Sequence, residues 1–205
     1  DCPRIRPELR LSTLSSAAFE VRLHHSGGNG APLLLVHGFG ADRRTFTANQ
    51  PALSAVADVW SLDLPGHGAS PWTDGVAPSA AAFADAIHRA LDDAGVGRVD
   101  MVGHSLGGAV SGVFAARHPD RVRSLTALAA SGLGRPVPRV FVETLPTLTD
   151  VEATEHLLQR LFVRKSLANR RLALYMLDEL EKPGRRAALS RIASEIGRAS
   201  CRERV

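Results

Sequence analysis

Gly103-His104-Ser105-Leu106-Gly107 places a serine at the centre of a glycine-flanked pentapeptide, followed at once by Gly108. A serine hydroxyl becomes a useful nucleophile only when the chain presents it openly and a base takes its proton. Such a pentapeptide arises often by chance, so its setting carries the information. The apolar run Val99–Val102 directly precedes it and a helical pattern directly follows it. A strand that turns sharply into a helix holds the middle side chain clear of the sheet. The turn is so tight that the flanking positions must lack bulky side chains, and Gly103, Gly107 and Gly108 meet that demand. The N-terminus of the following helix favours negative charge beside the hydroxyl. Ser105 is therefore the candidate nucleophile. The bland alternative is a glycine-rich turn with an N-capping serine.

Two further segments follow strand-like runs. His37-Gly38-Phe39-Gly40 comes after Leu33–Val36, and its glycines allow a close backbone approach. Asp63-Leu64-Pro65-Gly66-His67-Gly68-Ala69-Ser70 comes after the run ending at Leu62 and would form a wall beside the site. His67 has the look of a catalytic residue but is read as structural. His37 and His104 adjoin the motifs and are read as scaffolding. No histidine occurs beyond His156, and Ala130-Ser131-Gly132 offers no carboxylate.

The elements that must position these residues are legible from periodicity. Leu9–Leu14 and Phe19–His24 read as two strands, and Gly27-Gly28-Asn29-Gly30 as a break. Leu33–Val36, Val59–Leu62, Val99–Val102 and Ser124–Leu128 are continuous apolar runs, expected of strands covered on both faces. Ser79 caps a helix whose face carries Phe83, Ile87, Leu91 and Ala94, ending at Gly95. A second helix starts at Ser105, turns Leu106, Ala109, Val110, Val113 and Phe114 inward, and ends before Pro119. Strands alternating with helices predict a mostly parallel sheet with helices on both faces. After Gly134 the pattern turns helical. Thr149-Asp150-Val151-Glu152 reads as a capping box opening a helix with Leu157, Leu158, Leu161 and Phe162. Another helix covers Arg170 to Glu181 and breaks at Pro183-Gly184. This stretch is expected to lie over the sheet as a lid.

The three motifs, in this order and spacing, resemble the α/β-hydrolase fold family over about Leu9 to Ser131. The resemblance implies a sheet of up to eight strands and a triad in the order serine, acid, histidine. It implies an oxyanion hole made by the backbone N–H groups of Phe39 and Leu106, with Gly38, Gly103, His104, Gly107 and Gly108 supporting the elbow and the loop. Serine at position 105 sets the chain apart from the dehalogenase and epoxide-hydrolase branches, which place aspartate there. More narrowly, Asn49–Leu53, Ser61–Gly68 and Gly103–Val110, with the lid around Leu157–Phe162, resemble the C-terminal hydrolase-like domain of the acetoin dehydrogenase dihydrolipoyllysine acetyltransferase subunit. No lipoyl-type lysine motif is present. The activity implied is that of a serine acyl hydrolase on a carboxylic ester or thioester, working through an acyl-serine intermediate. The alternatives are the acyltransferase component of an acetoin dehydrogenase-type complex, with a lipoyl-bearing partner, and a non-catalytic binding protein on the same fold.

Composition narrows the field. The 205 residues, 44% hydrophobic and 22% charged, suit one soluble domain with a real core. The net charge of +4 is scattered arginine and does not suggest nucleic acid as a partner. No apolar run is long enough to span a membrane. The two cysteines, Cys2 and Cys201, form no metal spacing or disulfide framework. Gly95-Val96-Gly97-Arg98 precedes a strand and is no dinucleotide fingerprint. The reading is thus a small-molecule acyl substrate, no cofactor, no metal, no membrane and a cytoplasmic setting. The expected division is a core over residues 1–132, an incomplete lid over 133–195, and a non-native tail over 196–205, where apolar periodicity stops. The chain is expected to be a fragment, nearly inert, whose acid and histidine lie outside it.

Overall fold

The structure, a computed structural model, describes residues 18–133 and 139–202, the stretch from 196 onward by its backbone alone. The expected strand Leu9–Leu14 lies outside the described residues. Five strands form one sheet: β1 (Arg22–Gly27), β2 (Pro32–Val36), β3 (Asp58–Asp63), β4 (Val99–His104) and β5 (Val122–Leu128). Their order is β1-β3-β2-β4-β5. β1 runs antiparallel to β3, and the other pairs are parallel. The sheet is therefore mostly parallel, as the alternating pattern predicted, with five of the up to eight expected strands among the described residues.

Period-two alternation sorts β2 between two cores. Leu34 and Val36 join the larger cluster with Leu62, Phe83, Ile87, Met101, Val110 and Phe114. Leu33 and Leu35 join a smaller one with Phe46 and Val59, against which Leu53 of the short helix α1 (Gln50–Ser54) packs. Both faces of β2 are thereby dry, which explains its unbroken apolar run.

Helix α2 (Ala80–Asp93) is capped by Ser79, whose hydroxyl accepts from the Ala82 N–H. Phe83, Ile87 and Leu91 are buried, but Ala94 falls at the C-cap and is exposed. Helix α3 (Leu106–Arg117) buries Leu106, Val110 and Phe114. Ala109 and Val113, expected inward, are only half-buried.

The lid consists of α4 (Arg139–Thr144), α5 (Val151–Gln159), α6 (Arg170–Glu181) and α7 (Arg185–Arg202). Two details of the sequence reading are corrected. The cap of α5 is Asp150, whose carboxylate accepts from the Ala153 N–H, and not Thr149. Helix α5 ends at Gln159, so Leu161, expected within that helix, lies beyond it and is 54% exposed. Helix α7 continues to Arg202, so the loss of apolar periodicity at Ile196 does not end it. No helix among the described residues is long and apolar enough to cross a membrane.

Candidate active site

Ser105 sits between the last residue of β4 and the first of α3, at φ 53° and ψ −118°. Ala129 is the other non-glycine residue with positive φ among those described. A non-glycine backbone in this region costs about 1–3 kcal/mol and persists only where its surroundings impose it. Here they do. The Ser105 N–H donates to the Leu128 carbonyl at 3.0 Å, and the Ser105 carbonyl accepts from the N–H groups of Ser131 and Gly108, each at 3.0 Å. The end of β5 thus clamps the elbow from outside, a contribution the sequence did not signal.

The glycines are crowded from several sides. A Cβ on Gly103 would lie 2.6 Å from the Gly107 carbonyl oxygen and 2.7 Å from Ser111 Oγ. One on Gly107 would lie 2.3 Å from the His37 carbonyl oxygen, and one on Gly108 would lie 2.5 Å from Ala130 Cβ. On Gly38 it would approach Ser105 Cβ to 3.1 Å and His104 Nδ1 to 3.0 Å. The His37–Gly40 loop therefore passes in contact with Ser105. Leu106, the first residue of α3, and Phe39 are both buried, at 6% and 7% exposure.

Two buried histidines hold this loop. His37 Nε2 accepts from the Leu64 N–H at 2.9 Å, so its proton is on Nδ1, which donates to the Gly38 carbonyl at 2.7 Å. His67 Nε2 accepts from the Gly40 N–H at 3.1 Å, and its Nδ1 donates to the Pro65 carbonyl at 3.1 Å. Each ring bridges the two loops, and each must be neutral to accept. Burial holds both imidazoles below their ordinary range, with the mutual proximity of the rings adding to the effect at His67. His67 has no nitrogen left for proton transfer at Ser105.

This arrangement gives stability a definite pH dependence. The folded values lie below the unfolded value of about 6.5. Below that pH the unfolded chain takes up protons that the native chain refuses, so stability present above about pH 7 falls as pH drops toward the folded values. Urea midpoints are expected to be level from pH 7 to 8 and to fall by pH 5. His67→Gln is expected to flatten part of that slope, by up to about 1.4 kcal/mol per pH unit. Equal slopes in the two proteins would remove His67 from the account.

Asp63 organises the neighbouring loop. Its side chain is fully buried and accepts from the Arg43 N–H at 2.8 Å, the Arg43 guanidinium at 2.7 Å and the Ala69 N–H at 2.8 Å. Gly68, at φ +49°, leaves room for it, because a Cβ there would lie 2.2 Å from the carboxyl carbon. In the sequence Asp63 is only one more turn residue.

His104 Nδ1 is buried without a hydrogen-bond partner, and burial lowers the ring's pKa. Among the described residues no side chain hydrogen-bonds the Ser105 hydroxyl. The structure thus brings together Ser105, the Phe39 loop and the N-terminus of α3. It places no histidine–acid pair on Ser105. Such a site could add a hydroxyl to a carbonyl and receive the oxyanion; the proton acceptor is not among the contacts seen.

Residues 31–174 match the family described as alpha/beta hydrolase fold. The chain is 34% identical over 178 residues to the dihydrolipoyllysine-residue acetyltransferase component of the acetoin cleaving system of Pseudomonas putida, covering 83% of this chain and 46% of that protein. It is 45% identical over 91 residues to the pimeloyl-[acyl-carrier protein] methyl ester esterase of Neisseria meningitidis, covering 44% of this chain and 27% of that protein. The chain thus spans half or less of the length of these relatives. Among solved structures, the meta-cleavage product hydrolase of Pseudomonas fluorescens IP01 superposes with a TM-score of 0.77 at 23% identity, over 88% of this chain and 69% of that one. A thermophilic esterase from Thermogutta terrifontis superposes with a TM-score of 0.67 at 27% identity, over 85% and 67%.

Proposed function

The chain belongs to the alpha/beta hydrolase fold family, and from that premise we propose that it carries the nucleophile half of a serine acyl hydrolase acting on a carboxylic ester or thioester. The observation that carries the reading is Ser105 itself. Its backbone is held at positive φ, its hydroxyl has no partner among the described residues, and the Gly38 loop lies against it. Ser105 Oγ adds to the carbonyl carbon and its proton passes to a base. The oxygen that becomes anionic is received by the N–H groups of Phe39 and Leu106, two donors fixed beforehand. The C–O or C–S bond then breaks, and the leaving alkoxide or thiolate takes the proton. Water resolves the acyl-serine in the same way. Gly38, Gly103, Gly107 and Gly108 keep the loop and the elbow in contact, and His104 supports the turn.

A second reading has its own observation. The similarity to the acetyltransferase component of the acetoin cleaving system extends over 83% of the chain. In that reading a dihydrolipoyl thiol replaces water as the acceptor, and a lipoyl-bearing protein is the partner. One experiment separates the two. The longest reading frame containing these residues is given p-nitrophenyl acetate, with and without dihydrolipoamide. Hydrolysis that is indifferent to the thiol supports the first reading. Accumulation of acetyl-dihydrolipoamide at the expense of acetate supports the second. No turnover of any ester or thioester, with a histidine and an acid present in that frame, leaves the non-catalytic binder.

A further inference from the structure

The lid meets the loop beside Ser105 through a polar contact between residues 133 positions apart. Tyr175, on α6, donates its hydroxyl to Asp42 Oδ2. Asp42 is 4% exposed and follows the His37–Ala41 loop directly. Its other oxygen accepts from the Arg44 N–H at 2.7 Å and so caps the single helical turn Arg43–Phe46. The Arg44 guanidinium lies 5.4 Å from the centre of the Tyr175 ring. One carboxylate thus ends the loop, starts the next turn and receives the lid. An apolar contact reinforces the docking, since a Cβ on Gly40 would come 2.1 Å from Leu145 Cδ2 in the lid.

Tyr175 shares the hold on this loop with His37, whose Nδ1 donates to the Gly38 carbonyl at 2.7 Å. The loop's internal bond is the turn from the Ala41 N–H to the Gly38 carbonyl, at 3.2 Å. The Gly40 N–H is held by His67. Only Gly40 and Ala41 separate Phe39 from Asp42, so a shift at the Asp42 end would act on the Phe39 and Gly40 peptides against the hold of the two histidines.

We propose that Tyr175 is a positioning residue: its hydroxyl on the Asp42 carboxylate latches the lid helix α6 to the loop and keeps the Phe39 N–H aimed at the carbonyl oxygen of a substrate on Ser105. The proposal rests on the reading of that loop as half of an oxyanion hole. Apart from the phenol, Asp42 Oδ2 has the Arg44 guanidinium at 4.0 Å, so losing the phenol leaves a buried carboxylate oxygen poorly paired and the latch favours the docked lid. Bound substrate, the lid and the loop are then coupled through one hydrogen bond.

Tyr175 is the only tyrosine of the chain, so its ionisation can be read alone at 295 nm. Burial, the Asp42 bond and the charges of Asp42 and Glu179 push its pKa up, against a smaller opposite effect of Arg44. In the wild-type protein the phenol is expected to ionise only well above its ordinary value of about 10, while circular dichroism shows the fold intact. In Asp42→Asn it is expected to ionise closer to the ordinary value of about 10. Tyr175→Phe removes the hydroxyl and keeps the ring. In that variant the amides of Gly40, Ala41 and Arg44 are expected to exchange about tenfold faster, while those of Leu34 and Met101 in the sheet are unchanged. In a frame that turns over esters, Tyr175→Phe is expected to lower kcat about tenfold with KM within twofold. A wild-type phenol ionising near 10, or exchange at Gly40, Ala41 and Arg44 unmoved by Tyr175→Phe, overturns the latch. A change in KM alone overturns the positioning role. Absence of all ester turnover overturns the hydrolase reading and with it the oxyanion role, while titration and exchange still decide the latch.

Discussion

Ser105→Ala is expected to abolish covalent labelling by a fluorophosphonate and to lower ester turnover by about 10⁴-fold or more, measured on the longest reading frame that contains these residues. The size follows from the chemistry. Without an acyl-serine route, what remains is binding and whatever the two amides contribute to a direct attack by water. The fold should not suffer, because Ser105 makes its elbow contacts through its backbone: its N–H to Leu128, its carbonyl to Gly108 and Ser131. An alanine at φ 53° bears the same strain as the serine it replaces. Thermal unfolding of the variant is therefore expected to stay within a few degrees of wild type. Labelling that survives at another serine would sink the assignment. So would undiminished turnover in a folded Ser105→Ala protein.

The largest effect on stability is expected at Gly107. Its Cβ would stand 2.3 Å from the His37 carbonyl oxygen and 2.4 Å from the Val36 carbonyl oxygen, both backbone atoms at the end of β2. Neither can move without disturbing the pairing of Val36 with Leu62 and Gly103. Over-packing of this kind costs about 2–4 kcal/mol, which for a chain of this size lowers Tm by roughly 6–12 °C. Relief would come by pushing the His37–Gly40 loop away from α3, so any ester turnover should fall as well. Gly112 in the same helix is the control. A Cβ there meets nothing within 4 Å, and alanine is the better helix former by about 1 kcal/mol. Gly112→Ala is therefore expected to be neutral or mildly stabilising. Equal melting temperatures for the two variants would mean that the close packing of elbow and loop is not real in solution.

Much of this was readable in the residues because the forces involved act over a few positions. The elbow depends on the tight turn demanded between β4 and α3, and Gly103, Gly107 and Gly108 stand where that turn needs them. The cap of α2 is a hydroxyl reaching three residues along the chain, so Ser79 was legible. The strands β2, β3 and β4 showed as apolar runs because a parallel sheet packed between helices buries most of their residues, whereas β5, expected to be covered on both faces, is exposed from Arg123 to Leu128. The family resemblance carried by these motifs is supported by the match over residues 31–174.

Other features depend on distance in space and left no local signal. Thr149 and Asp150 are both good caps, and only the start of α5 chose Asp150. The exposure of Leu161 followed from where α5 ends. His37 and His67 carry the same side chain as a catalytic base. It was the Leu64 and Gly40 amides, brought by two separate loops, that fixed their protons and made them struts. Asp63 became a buried anchor because Arg43 folds over it. The sequence by itself determined which serine is presented and on what kind of turn, since a few adjacent residues set backbone sterics. Only the tertiary structure decided what holds that turn and its loop in place: the end of β5 on Ser105, the histidines beneath Gly40 and Tyr175 on Asp42. A hydrogen bond between residues 133 apart is set by the packing of whole elements, and neither partner's neighbours encode it.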